Sequence, residues 1–166
     1  MNIETRIKVS ATPDPCWEVL GLQFGDIGSW ATAIVRSRID RHPQLGAERV
    51  CQLRGMGGMG PMEIREELVD FDEAERRLEY KVQSGLPKFI LSARNRWAVE
   101  DNGDGTSTIV SHAKIKLAWY MVPMSPMMRI QSRRDLARVA EELKYRIEHG
   151  AAHPRKLEAI SVAAAA

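Results

Sequence analysis

Glu66 is the residue best placed to do chemistry. Along Met62–Asp70, the side chains of Met62, Ile64, Glu66 and Leu68 share one parity, and those of Glu63, Arg65 and Glu67 share the other. In a strand this alternation puts Glu66 on the apolar face. A carboxylate there must be paired, reached by water or protonated. Glu66 is therefore a polar anchor for a ligand, a general base whose pKa is raised by burial, or half of an internal ion pair with Arg49. Arg49 shares a face with Cys51 and Leu53. Its planar fork would meet Glu66 or a ligand carboxylate, or, near a strand end, reach solvent.

Other polar residues fall among apolar neighbours in the same way. Tyr80 lies between Leu78 and Val82 and is the second catalytic candidate, through its hydroxyl. Asn95 alternates with Leu91, Ala93, Trp97 and Val99, where it either fixes a ligand oxygen or is a satisfied core amide. Ser111 sits with Ile109, Ala113 and Ile115, a small wall residue more than a nucleophile, because His112 is on the opposite face.

Gly55-Met56-Gly57-Gly58-Met59-Gly60 satisfies the G-x-G-x-x-G dinucleotide pattern, but no repeating strand–helix–strand unit surrounds it. A hairpin loop acting as a gate explains it better, with glycine for freedom and methionine for adaptable apolar contact. Met121, Met124, Met127 and Met128, with Val122, Pro123 and Pro126, read as packing and hinge residues first, and otherwise as the lip of a pocket or an apolar patch that touches a membrane or a partner. The four histidines are dispersed, and Asp101–Gly105 lacks calcium-loop spacing, so no metal and no cofactor is expected.

These residues must be positioned by elements, and the elements are legible. Ile3, Thr5, Ile7 and Val9 alternate with charges as a half-buried strand. Thr12–Pro15 punctuates, then Cys16–Leu20 and a stretch ending near Trp30 read as two short helices. Strand-like segments follow at Ala33–Arg41, Glu48–Arg54, Met62–Phe71, Arg77–Gln83, Phe89–Val99 and Thr106–Leu117, the last after an Asn-Gly/Asp-Gly hairpin turn. From about Ser125 to His149 an amphipathic helix is expected, with Leu136, Ala140, Leu143 and Ile147 inward and Arg138, Glu141, Glu142, Arg146 and Glu148 wet. Gly150 ends it, and residues 151–166 read as a loose C-terminal tail.

Composition bounds the rest. A chain of 166 residues with 44% hydrophobic and 28% charged content is one ordinary globular domain. A net charge of +2 with interleaved acids does not suit nucleic acid. No run of about 18 apolar residues exists, so no membrane span is expected. Two cysteines and no signal-peptide pattern point to reduced thiols and a cytoplasmic protein, monomeric or homodimeric.

One strand, two short helices, a run of antiparallel strands and a long last helix form an α+β arrangement. In it a curved sheet wraps the helix and leaves a space between them. In this order the chain resembles the SRPBCC superfamily, the helix-grip or START-like fold. The residues that carry the likeness are Ile7–Ala11, Pro15–Leu20, Phe24–Ile27, Trp30, Leu45–Arg49, Glu66–Asp72, Arg77–Val82 and Gly103–Ser107. That group includes polyketide cyclase/dehydrase-type proteins, lipid-transfer domains, pathogenesis-related plant allergens and the abscisic acid receptors. Where Ser111 stands, members often carry tryptophan, which implies a locally larger pocket here.

The resemblance implies a single ligand-binding domain over residues 1–150, with a cavity for a hydrophobic or aromatic small molecule. Its expected ligand contacts are Arg49, Ile64, Glu66, Leu68, Tyr80, Leu91, Asn95, Trp97, Ile109 and Ser111. In the abscisic acid receptors a glutamate at the place of Glu66 reaches ligand through water, and the loop at Gly55–Gly60 is a gate. Two functions are expected from it: a carrier or sensor, or a cofactor-independent cyclase using Glu66 and Tyr80 for proton transfer.

Overall fold

The computed structural model describes residues 1–55 and 60–164. Seven antiparallel strands form one sheet: β1 (Asn2–Val9), β2 (Ile34–Ile39), β3 (Glu48–Leu53), β4 (Met62–Asp72), β5 (Arg77–Ser84), β6 (Ile90–Asp101) and β7 (Ser107–Leu117). Their spatial order is β1-β7-β6-β5-β4-β3-β2, so the first strand closes against the last and the rest form a meander. Every strand predicted from alternation is present, with bounds shifted by three residues or fewer.

Curvature comes from irregular pairing. Register shifts between Arg65 and Glu66, Leu68 and Asp70, and Ile90 and Ser92 each leave an extra residue on one strand, which bends and twists the sheet. At the end of β5 the chain turns so close to β4 that a Cβ on Gly85 would lie 2.0 Å from the Glu63 carbonyl oxygen, and its φ of +90° also demands glycine.

The N-terminal linker is less regular than the sequence suggests. α1 (Pro13–Trp17) runs into a π-helical turn (Glu18–Leu22), a 3-10 turn (Phe24–Asp26) and α2 (Ile27–Trp30). These deliver Trp17, Leu20, Phe24 and Trp30 into the core beside Leu68, Leu78, Trp97 and Ile109. After a 3-10 turn at Trp119–Met124, α3 (Ser125–His149) crosses the concave face of the sheet, and Gly150 ends it at φ 65° as expected of a left-handed cap.

α3 is pinned at its C-terminal half. Glu148 accepts from the Ser10 amide at 2.7 Å, and Lys144 donates to the Lys8 carbonyl at 2.8 Å. Glu142, expected on the wet face, is buried. It accepts from the Thr32 amide at 2.8 Å and the Thr32 hydroxyl at 2.7 Å, which satisfies both donors of the residue that follows the α2 cap. Helical spacing alone cannot show that a loop will supply donors to a charged position.

The expected loose tail is also corrected. Residues Pro154–Ala164 form α4, whose Lys156 is buried and donates to the carbonyls of Ala31 (3.1 Å) and Ile34 (2.6 Å). Arg54 adds a bond to the Ala159 carbonyl at 3.0 Å. Alanine, leucine, lysine and glutamate in this segment are good helix formers, and the Lys156 stem buries along apolar surface while its head finds backbone oxygens. Lys156→Met is expected to cost about 1–3 kcal/mol by removing the ammonium donor from both carbonyls, of which that of Ala31 keeps only the Ile34 amide. Limited proteolysis should then cut within 151–164 first; unchanged cleavage kinetics would show that the buried lysine does not hold α4.

Candidate functional site

Between the sheet and α3 lies a cavity of about 690 Å³, within the range of small-molecule sites. Its walls are mainly apolar: Leu20, Phe24, Ile27 and Trp30 from the linker, Ile64, Leu78, Ala93, Trp97 and Ala113 from the sheet, and Leu136, Val139 and Leu143 from α3. One cluster of polar lining residues lies on the sheet, where β3, β4, β5 and β6 bring Arg49, Glu66, Tyr80 and Asn95 together.

Arg49 and Glu66 are a buried pair. Glu66 Oε2 takes Nη2 of Arg49 at 2.6 Å and its Nε at 2.8 Å, and it also faces the Cys51 thiol at 3.5 Å. Arg49 Nη1 donates to the Phe24 carbonyl at 2.6 Å, and the guanidinium lies 3.6 Å above the centre of the Phe24 ring. Direct register opposition, Arg49↔Glu66 in the β3–β4 ladder, puts the two side chains on one face. Burial, the largest single influence, would lower the Arg49 pKa; the Glu66 charge, together with Cys51, Tyr80 and the hydrogen bond to Glu66, outweighs it and leaves the guanidinium above its ordinary value. Glu66 Oε1 has no hydrogen-bond partner among the described residues.

A second chain of bonds runs along the cavity floor. The Ser111 hydroxyl donates to Asn95 Oδ1 at 2.8 Å, and Asn95 Nδ2 approaches the Tyr80 oxygen at 3.4 Å. Tyr80 therefore receives from Asn95, and its own proton has no protein acceptor among the described residues. Burial, reinforced by the nearby Glu66 charge, pushes the Tyr80 pKa up, so the phenol is a stable hydrogen-bond donor.

The expected site residues divide. Arg49, Ile64, Glu66, Tyr80, Asn95 and Trp97 line the cavity. Leu68, Ile109 and Ser111 are buried behind that wall and support it. Leu91 faces outward and is 56% exposed: it is the extra residue in the β6 bulge between Ile90 and Ser92, so parity extrapolated back from Ala93 fails there. Gly55 borders the cavity, whereas Met56, Gly57, Gly58 and Met59 of the expected gate lie outside the described residues. Met62–Asp72 is a strand and not the helix a dinucleotide loop would open.

Sequence reasoning missed Phe24, the platform under Arg49, and the α3 residues Gln131, Ser132 and Asp135 at the cavity mouth. Linker geometry places the first, and no alternation signals it. Cys16 and Cys51 are free and buried, and burial pushes the Cys51 thiol up to about 12, which leaves it protonated and unreactive at neutral pH.

Residues 1–148 match the family described as polyketide cyclase / dehydrase and lipid transport. The chain belongs to that family. Its fold is that of the START-like, helix-grip proteins. A START superfamily protein from Mycobacterium smegmatis superposes with a TM-score of 0.73 at 14% identity, covering 89% of this chain and 97% of that one. Norcoclaurine synthase from Thalictrum flavum, solved with dopamine and hydroxybenzaldehyde, gives 0.69 at 18% identity over 90% and 87%. Major latex-like protein 151 from Panax ginseng gives 0.65 at 15% over 87% and 95%. No curated protein matches the sequence. Among the described residues no helix is long and apolar enough to cross a membrane.

Proposed function

We propose that this protein binds a hydrophobic or aromatic small molecule in the cavity, as a carrier or sensor. The observation that carries the reading is the 690 Å³ space with mainly apolar walls and a buried polar cluster on the sheet. In that cluster the free Oε1 of Glu66 accepts a hydrogen bond from a ligand hydroxyl or amine, while Tyr80 donates to a ligand oxygen. Arg49, committed to Glu66 and the Phe24 carbonyl, orients the carboxylate and leaves the ligand to the other two. Burial of a ring or chain against Trp97, Ile64 and Leu143 supplies roughly 25 cal/mol per Å².

Native mass spectrometry of the purified protein, followed by denaturing extraction, tests this. A co-purifying apolar molecule at stoichiometric level is the expected result. A clean apo mass, with no thermal shift across a panel of apolar and aromatic compounds, would remove the reading.

A second reading is an enzyme of the cyclase type. The free Glu66 oxygen and the Tyr80 phenol face the same space, the arrangement an aldol-type closure or dehydration requires of a proton acceptor and donor. Glu66→Gln separates the two: a carrier retains its ligand with modestly changed affinity, and an enzyme keeps binding but loses turnover.

A further inference from the structure

The turn after β7 and the start of α3 carry an apolar surface that the binding reading does not use. Trp119 is 83% exposed, and Tyr120, Val122, Met124, Met127 and Ile130 are exposed with it. The sequence reading favoured packing for these methionines; instead the 3-10 turn lifts Trp119 and Tyr120 off the sheet, ring centres 6.0 Å apart, edge to face. The bulge residue Leu91 lies beside them, because Ile90 pairs with Leu117. Gln131, Ser132 and Asp135 of α3, with Ala93 and Ile115 of the sheet, form the cavity wall next to this surface.

The charge around it is mainly basic, with Asp135 on the neighbouring cavity wall the exception. Between residues 105 and 134 the chain carries Lys114, Lys116, Arg129, Arg133 and Arg134 and no acid. Lys88 stands in the turn whose Phe89 carbonyl accepts from the Ala118 amide, one residue from Trp119. Lysines are depleted in protein–protein contacts but are effective partners of anionic headgroups, and tryptophan and tyrosine settle at the membrane–water boundary. From this complementarity we infer that the Trp119–Ile130 surface docks on an anionic lipid bilayer, with the cavity mouth against the membrane. A cargo molecule then passes between bilayer and cavity without crossing water. Only this last step rests on the binding reading.

Trp17, Trp30 and Trp97 are buried, so a change in tryptophan emission on docking reports Trp119. Vesicles of phosphatidylcholine, with and without phosphatidylglycerol, are floated with the full chain. Expected are binding to the anionic vesicles with a blue shift and weakening at high salt. A loss of roughly ten-fold is expected in Trp119→Ala, and about five-fold for each of Lys88→Glu and Lys116→Glu. All three positions are exposed, so unchanged melting temperatures check the fold. Absence of vesicle binding, equal binding of Trp119→Ala and wild type, or indifference to phosphatidylglycerol would overturn the inference. So would a Trp119-dependent dimer in sedimentation velocity with no vesicle binding. Vesicle binding retained in a protein that carries no apolar ligand would leave docking intact and remove the cavity reading alone.

Discussion

Arg49→Ala should be among the most damaging single substitutions in this protein, lowering stability by roughly 3–5 kcal/mol. It leaves the Glu66 carboxylate buried without its cation, the Phe24 carbonyl without its donor and the Phe24 ring without its cover. Glu66→Ala should cost a similar amount by stranding the guanidinium. The double substitution Arg49→Met, Glu66→Leu removes both charges together and is expected to recover most of the loss, because a buried pair gains little over well-packed apolar groups. Denaturant titration of wild type, Arg49→Met, Glu66→Leu and the double variant closes the cycle and gives the coupling directly. Additive losses in the double variant would show that the pair is not an energetic unit. The same double variant removes the charged half of the polar cluster and leaves Tyr80 and Asn95, so it should fold yet bind a hydroxylated ligand more weakly than wild type.

Ala113→Phe is expected to abolish apolar ligand binding with little harm to folding. Ala113 lies on the inward face of β7, opposite Asn95, and its methyl forms part of the cavity wall. A phenyl ring there projects into space that the chain itself does not fill, so stability should hold or rise, whereas insertion into a filled core costs about 1–3 kcal/mol. An apolar fluorescent probe should lose affinity by at least about ten-fold, which corresponds to ~1.4 kcal/mol. Undiminished probe affinity would place binding elsewhere on the molecule. A large drop in stability would mean that the space closes in solution.

Glu66 shows how far sequence reasoning reached and where it stopped. Period-two alternation put it on the inward face, together with Tyr80, Asn95 and Ser111, and the ladder confirms that face for each. What its carboxylate does was open to three answers. The partner was decided by Arg49 standing directly across the β3–β4 ladder, a register that neither strand specifies alone. Tyr80 and Asn95 meet because β5 and β6 pair them, for the same reason.

The sequence by itself determined the strands, the long helix and its stop at Gly150, since alternation, helical spacing and glycine at a left-handed cap are local signals. Tertiary structure alone decided that Leu91 faces out, that Glu142 and Lys156 are buried, and that Phe24 lies under Arg49. Each of these depends on a bulge or on a loop carbonyl, amide or ring brought from far along the chain. Local spacing carries no record of such partners, because burial of a polar group is set by what arrives to satisfy it.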